Sequence, residues 1–208
     1  MPSAPSRSRA VLVLATANPA KGRELVALLG TMPFQVRLFS EFPGARLPEE
    51  TGRTYAENAL GKARAAAGLT GTLALGDDSG LEVDALAGAP GLNTARFGGP
   101  GLGDRERREL LLERLRGLEP ARRTARFRCV IALVGPTLGE QVVEGVVEGI
   151  IAEAARGSGG FGYDPVFFYP PLGRTFAELS DEEKARVSHR GRIRADSMIT
   201  QTGCGAAW

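Results

Sequence analysis

Two adjacent carboxylates set between glycines, Gly76-Asp77-Asp78-Ser79-Gly80, are where this chain most plainly offers chemistry. They follow an apolar run, Thr72-Leu73-Ala74-Leu75, that reads as the end of a buried strand. A charge carried toward an interior needs a counter-ion, a metal or a proton. Neighbours in a strand face opposite sides, so Asp77 and Asp78 need not share a task. The two glycines are expected to let the backbone turn sharply there and approach a ligand closely. Such a turn suits a hard divalent cation, for example magnesium, which takes one or two carboxylates and fills its remaining positions with phosphate oxygens and water. The same letters are also ordinary composition for an exposed polar turn, so their meaning depends on the rest of the chain.

Three other stretches carry polar groups in useful spacing. In Thr16-Ala17-Asn18-Pro19-Ala20-Lys21, Asn18 reads as an N-cap and Pro19 as the first helical residue. Free backbone N–H groups at that helix start, with Lys21 in the first turn, make an anion site; plain capping with a solvated lysine is the bland alternative. Gly157 to Gly162 matches G-x-G-x-x-G, but that fingerprint has to open a helix. Here Tyr163-Asp164-Pro165-Val166-Phe167-Phe168 follows, a strand pattern containing proline. Phe161 and Tyr163 in a glycine-rich loop better suit stacking on a flat ring. Finally, Ser188-His189-Arg190-Gly191 holds the single histidine, which excludes poly-histidine metal sites, beside an arginine whose planar donor fork suits carbonyl or phosphate oxygens.

The elements that must position these groups are legible in outline. Val11 to Leu14 is a continuous aliphatic run, as expected of a strand buried on both faces. A helix follows from Pro19 to Gly30, then an alternating strand from Phe34 to Phe39 and a loop from Glu41 to Gly52 carrying Glu49 and Glu50. Thr54 and Glu57 form a capping box for a helix reaching about Ala67, on which Asn58 and Lys62 share a face. Leu81 to Asn93 reads as irregular loop. Asp104 to Arg116 is an amphipathic helix whose Arg/Glu run reads as a solvated face. Ala125–Val134 and Gln141–Val147 are expected to form a hairpin, giving a mixed sheet. Ser180 and Glu183 cap a short helix bearing Lys184, and a further helix is expected toward Met198. The fold class is therefore α/β with a long mixed sheet, over one domain from residue 10 to 199, with tails at 1–9 and 200–208.

The chain has 208 residues, 43% of them hydrophobic and 24% charged, with a formal net charge of +2. It is long enough to bury a core. Its near-neutral balance argues against a nucleic-acid partner, which would show as a dense basic stripe. No apolar run reaches the ~18 residues of a membrane span, and Met1–Arg9 lacks the apolar segment of a secretory signal. Two distant cysteines imply neither a disulfide framework nor a zinc site, in keeping with the cytoplasm.

Taken in order, these motifs resemble the inosine triphosphate pyrophosphatase family, the Ham1-like purine nucleoside triphosphate pyrophosphatases, over about Val11 to Met198. The resemblance rests on Thr16 to Lys21, Glu50-Thr51-Gly52 with Glu57-Asn58-Ala59, and Asp77 to Gly80. It continues through Gly88-Ala89-Pro90-Gly91 with Ala95-Arg96, Gly159 to Pro165, Lys184, and Ser188 to Gly191. It implies two lobes around a cleft, a magnesium cofactor, a homodimer, and hydrolysis of inosine, deoxyinosine or xanthosine triphosphate to monophosphate and pyrophosphate. By the same likeness Asp78 would bind metal and accept a proton from water, with Glu50 the second metal carboxylate. Thr16, Ala17, Asn18, Pro19, Ala20 and Lys21, helped by Lys62, would hold the triphosphate, and Ser79 would touch substrate. Phe161, Gly162, Tyr163, Asp164, Lys184, His189 and Arg190 would line the base and sugar, with Arg190 reading the oxygen at ring position 6.

Overall fold

The structure, a computed structural model, describes residues 9–30 and 32–193. The expected tails and the helix toward Met198 lie outside them. Among the described residues a seven-stranded sheet has the order β2-β1-β3-β4-β5-β6-β7. Strand β1 (Ala10–Ala15) lies between β2 (Phe34–Leu38) and β3 (Leu73–Val83), parallel to both. Its aliphatic run is buried from Leu12 to Ala15, as a strand covered on both faces requires. The sheet then turns antiparallel through the long hairpin of β4 (Thr124–Gly135) and β5 (Gly139–Ile151), followed by the short β6 (Phe167–Tyr169) and β7 (Arg174–Thr175).

Strand β3 overturns one expectation. Gly76 to Gly80 is not a turn: the strand runs straight through it, each residue paired with β4 from Ala74↔Val134 to Val83↔Ala125. The glycines serve close packing instead. Helix α2 (Tyr55–Thr70) lies so near the sheet that a Cβ on Gly76 would sit 2.1 Å from the Ala59 carbonyl oxygen. A Cβ on Gly80 would come within 2.4 Å of the Gly91 oxygen. Locally two glycines signal a turn; tertiary packing uses the same absence of side chain to seat a helix on a strand.

Alternation along β3 then sorts its side chains. Gly76 and Asp78 face α2. On the other face, Leu75 joins Leu12, Leu14, Leu25 and Leu29 in an apolar cluster under helix α1 (Pro19–Leu29). Leu81 and Val83 join Leu111 of helix α3 (Asp104–Arg114) and Leu115, which caps it, in another. Asp77 and Ser79 fall between these two clusters. That break in the apolar face opens a polar cleft.

Two further differences concern loops. The strand pattern from Tyr163 to Phe168 shortens to Phe167–Tyr169, because Tyr163 to Val166 closes a turn in which Val166 and Phe167 donate to the Tyr163 carbonyl. Pro165 has no N–H to offer a ladder there. Leu81–Val83, expected in a loop, belongs to β3, after which short 3-10 helical segments cover Asp84–Leu86 and Gly91–Arg96. The caps are where the sequence puts them: Asn18 Oδ1 accepts from the N–H of Ala20 and Lys21, and Ser180 with Glu183 opens helix α4 (Asp181–Val187).

Candidate active site

A cavity of about 650 Å³ opens over the middle of β3. Every residue expected at the site lines it except Ala20, whose contribution is the backbone N–H held by Asn18. The lining divides into two charge clusters, one on each face of β3.

The first centres on Lys62. Its position on α2, one turn beyond Asn58, points both side chains at Asp78. Lys62 Nζ lies 2.8 Å from Glu50 Oε1 and 3.3 Å from Asp78 Oδ1. Asn58 Nδ2 donates to Asp78 Oδ2 at 2.9 Å, while Asn58 Oδ1 accepts the Gly52 N–H at 2.8 Å. One amide thus ties the Glu50 loop to the strand carboxylate. Burial alone would lower the Lys62 ammonium, but Asp78 and Glu50 more than offset that and raise it. Burial alone would raise Glu50; Lys62 outweighs it and the carboxyl is held low. Two carboxylates therefore flank one buried cation at a cavity wall; the only other cation paired with them among the described residues, Arg96, is half-exposed and lies 3.8 Å from Glu50 Oε2.

That donor set fits a hard cation. Asp78 and Glu50 offer only oxygen ligands, both within reach of one point, and Lys62 Nζ already marks that point as favourable for positive charge. Among the described residues no group of three or more acidic, histidine or cysteine side chains forms a complete metal cage. An ion there would need oxygens from a ligand.

The second cluster is an alternating chain of buried and part-buried charges. Lys21 Nζ is 2.8 Å from Asp77 Oδ1, and Arg190 Nε is 3.1 Å from Asp77 Oδ2. Arg190 Nη1 meets Glu24 Oε2 at 3.0 Å; Glu24 Oε1 meets Lys184 Nζ at 2.5 Å; Lys184 Nζ meets Asp164 Oδ2 at 2.5 Å. Three cations alternate with three anions, so the chain sums to zero. Burial would raise the Asp77 carboxyl, yet the Arg190 and Lys21 charges hold it well below the usual carboxylate range. Cys129 lends it an S–H at 2.9 Å, and burial with the Asp77 charge pushes that thiol well above its ordinary value. The Lys184 ammonium is raised: burial works against it, but Asp164 and Glu24 prevail.

Arg190 is fully committed within this chain. Its five N–H groups go to Asp77 twice, Glu24, Ser79 Oγ and His189 Nε2. It was expected to read a ring oxygen, and here none of its donors is free to do so. His189 is the open group. Burial first, then the Arg190 charge, keep its imidazole well below its ordinary pKa, hence neutral. A guanidinium only donates, so Nε2 accepts and the proton sits on Nδ1. That Nδ1 is buried without a hydrogen-bond partner among the described residues. The ring itself is fixed by stacking on Phe127 at 4.9 Å. Phe161, whose N–H donates to Asp164 Oδ2, lies with its ring 4.8 Å from Lys184 Nζ.

Glu24, Cys129 and the task of Asp77 escaped sequence reasoning. Their partners are 52 to 166 residues away, and no local spacing signals that. Lys21 is not the solvated lysine of the bland alternative; it is bound to Asp77.

Comparison with known proteins agrees with this geometry. The Ham1 family model matches residues 12–195. A dITP/XTP pyrophosphatase of Desulforamulus reducens is 51% identical over 187 residues, covering 90% of this chain and 93% of its own. One from Thermus thermophilus is 52% identical over 181 residues, covering 87% and 86%. Among solved structures, a HAM1 protein from Coxiella burnetii superposes with a TM-score of 0.82 at 41% identity, covering 94% of this chain and all of its own. The Staphylococcus aureus Ham1 protein gives 0.81 at 38% identity, covering 93% and 98%. A sheet of this order, a split polar cleft and sequence identity across nearly the whole chain lead to one placement: the chain belongs to the Ham1 family.

Proposed function

We propose that this protein hydrolyses non-canonical purine nucleoside triphosphates, such as those of deoxyinosine and xanthosine, to the monophosphate and pyrophosphate. The observation that carries this reading is the sharing of Lys62 by Glu50 and Asp78 on the wall of the cavity that also holds Phe161 and His189. Names of the relatives supply the substrate class.

Glu50 and Asp78 would hold magnesium, which when bound supplies charge neutralisation across the phosphate oxygens. Asp78, oriented by Asn58, accepts the proton of the attacking water. The water oxygen bonds to the α-phosphorus, the bond from that phosphorus to the bridging oxygen breaks, and pyrophosphate leaves. Lys21 and Lys62 add positive charge where the triphosphate lies, and the Thr16–Pro19 loop encloses it. Phe161 stacks on the base. His189 Nδ1–H donates to the oxygen at ring position 6. An amino group there, as in adenine, would face a donor and leave both unpaired, a mismatch that can cost discrimination of order 10⁴. Arg190 acts by fixing the His189 tautomer, while Lys184 and Asp164 hold the loop of Phe161.

A cytoplasmic homodimer belongs to the same reading. No helix among the described residues is long and apolar enough to cross a membrane. Incubation with inosine triphosphate and magnesium should release pyrophosphate and inosine monophosphate in equal amounts. Stepwise release of single phosphates would defeat the proposed reaction, and preference for a modified pyrimidine triphosphate would replace its substrate.

A further inference from the structure

The charge run on α3 reads from sequence as a solvated face, yet two of its members grip the loop that carries Phe161. Asp104 Oδ2 accepts the Gly162 N–H at 3.1 Å, and Arg108 Nη1 donates to the Gly162 carbonyl at 2.7 Å. They lie four residues apart, on one face of the helix. Gly162 itself takes a positive φ of 57°, which frees both its amide and its carbonyl for this contact. The neighbouring residues are fastened elsewhere. Phe161 N–H goes to Asp164 at 2.7 Å, and Tyr163 Oη donates to the Thr94 carbonyl at 3.1 Å. Three consecutive residues are thus pinned by a β6-side carboxylate, by α3 and by the helical turn at Gly91–Arg96.

We infer that Asp104 and Arg108 are positioning residues for base recognition: by bracketing the Gly162 peptide they preset the ring of Phe161, and so set how tightly the purine end of the substrate binds. Ligand-stacking rings contribute most when they need no ordering on binding. Both residues act through Gly162. Asp104 acts as an acceptor, not as a charge. The inference rests on the proposed stacking role of Phe161.

The test is steady-state pyrophosphate release from inosine triphosphate with magnesium, together with inhibition by tripolyphosphate, which has no base. For the D104A/R108A double variant KM should rise about five-fold to a hundred-fold, the range set by losing one base-stacking contact. Its kcat and its tripolyphosphate inhibition constant should stay within about two-fold of the parent. Asp104→Asn keeps an acceptor oxygen and should recover most of the loss shown by Asp104→Ala. An unchanged KM in the double variant overturns the clamp. So does an equal rise in KM and in the tripolyphosphate constant, which marks general loosening of the fold, and so does failure of Asp104→Asn to rescue. If the parent protein releases no pyrophosphate from any purine triphosphate, the proposed function falls and the clamp with it. Parent activity with unmoved variants removes the clamp alone.

Discussion

Asp77 and Asp78 are adjacent, both nearly inaccessible, and opposite in every other respect. Asp78 shares one buried lysine with Glu50, whose further partner Arg96 is half-exposed at 3.8 Å, so the buried part of its cluster is short of positive charge at a cavity wall. Asp77 receives Lys21, Arg190 and Cys129 and is the second link of a chain that sums to zero. A carboxylate with unmet charge can recruit a cation; one fully answered by its neighbours can only hold them in place. Strand alternation separates the two environments, so on the proposed reading one dipeptide serves chemistry on one face and scaffolding on the other.

This contrast can be broken by substitution. Asp78→Asn should lower turnover by at least about a thousand-fold, the scale of losing a catalytic base, while melting temperature stays close to that of the parent. Retained activity would take Asp78 out of the reaction. Asp77→Asn should do the reverse at first order, costing about 3–5 kcal/mol of stability in chemical denaturation because Arg190 loses its buried counter-ion. A loss under ~1 kcal/mol would mean that Glu24 alone suffices for Arg190. His189→Gln should weaken discrimination between inosine and adenosine triphosphates by about ten-fold or more. An unmoved ratio would assign the ring oxygen to another donor.

A smaller effect follows from titration. His189 is depressed in the fold, so below its ordinary value the unfolded chain binds a proton that the folded chain does not. Stability contributed by the neutral ring is complete above about pH 6.5 and falls as pH drops below it, by at most about 2 kcal/mol at pH 5. Denaturation at pH 7.5 and pH 5 should show that difference in the parent and lose it in His189→Gln. Asp77, also depressed, keeps its contribution above about pH 4 and loses it only below, so the two groups separate by pH. Smallest of all, Cys129→Ala should cost about 1 kcal/mol or less through the lost S–H donor, beyond the cavity it leaves.

Much of the fold was legible because it is locally encoded. The Val11–Leu14 run, the Asn18 and Ser180 caps and the Gly135–Gly139 turn each state their structure within a few residues. The resemblance supplied the grouping of Glu50 with Asp78, which local pattern could not. Gly76 and Gly80 misled, because glycine means a turn when read locally and close packing when a helix lies over the strand. Arg190 misled differently: its fork suits a ligand in general, and only the three-dimensional arrangement shows that every tine is in use. Glu24 carried no signal at all, since its partners lie on α4 and in the loop just beyond it.

The clearance between α2 and β3 has a wider consequence. Lys62 and Asn58 hang over Asp78 at distances set by how deeply their helix settles, and that depth is fixed where Gly76 meets the Ala59 carbonyl. A single methyl at Gly76 would lift the helix off its seat and draw the lysine away from both carboxylates. The placing of Lys62 is thus governed from two residues upstream of Asp78, by a side chain that does not exist.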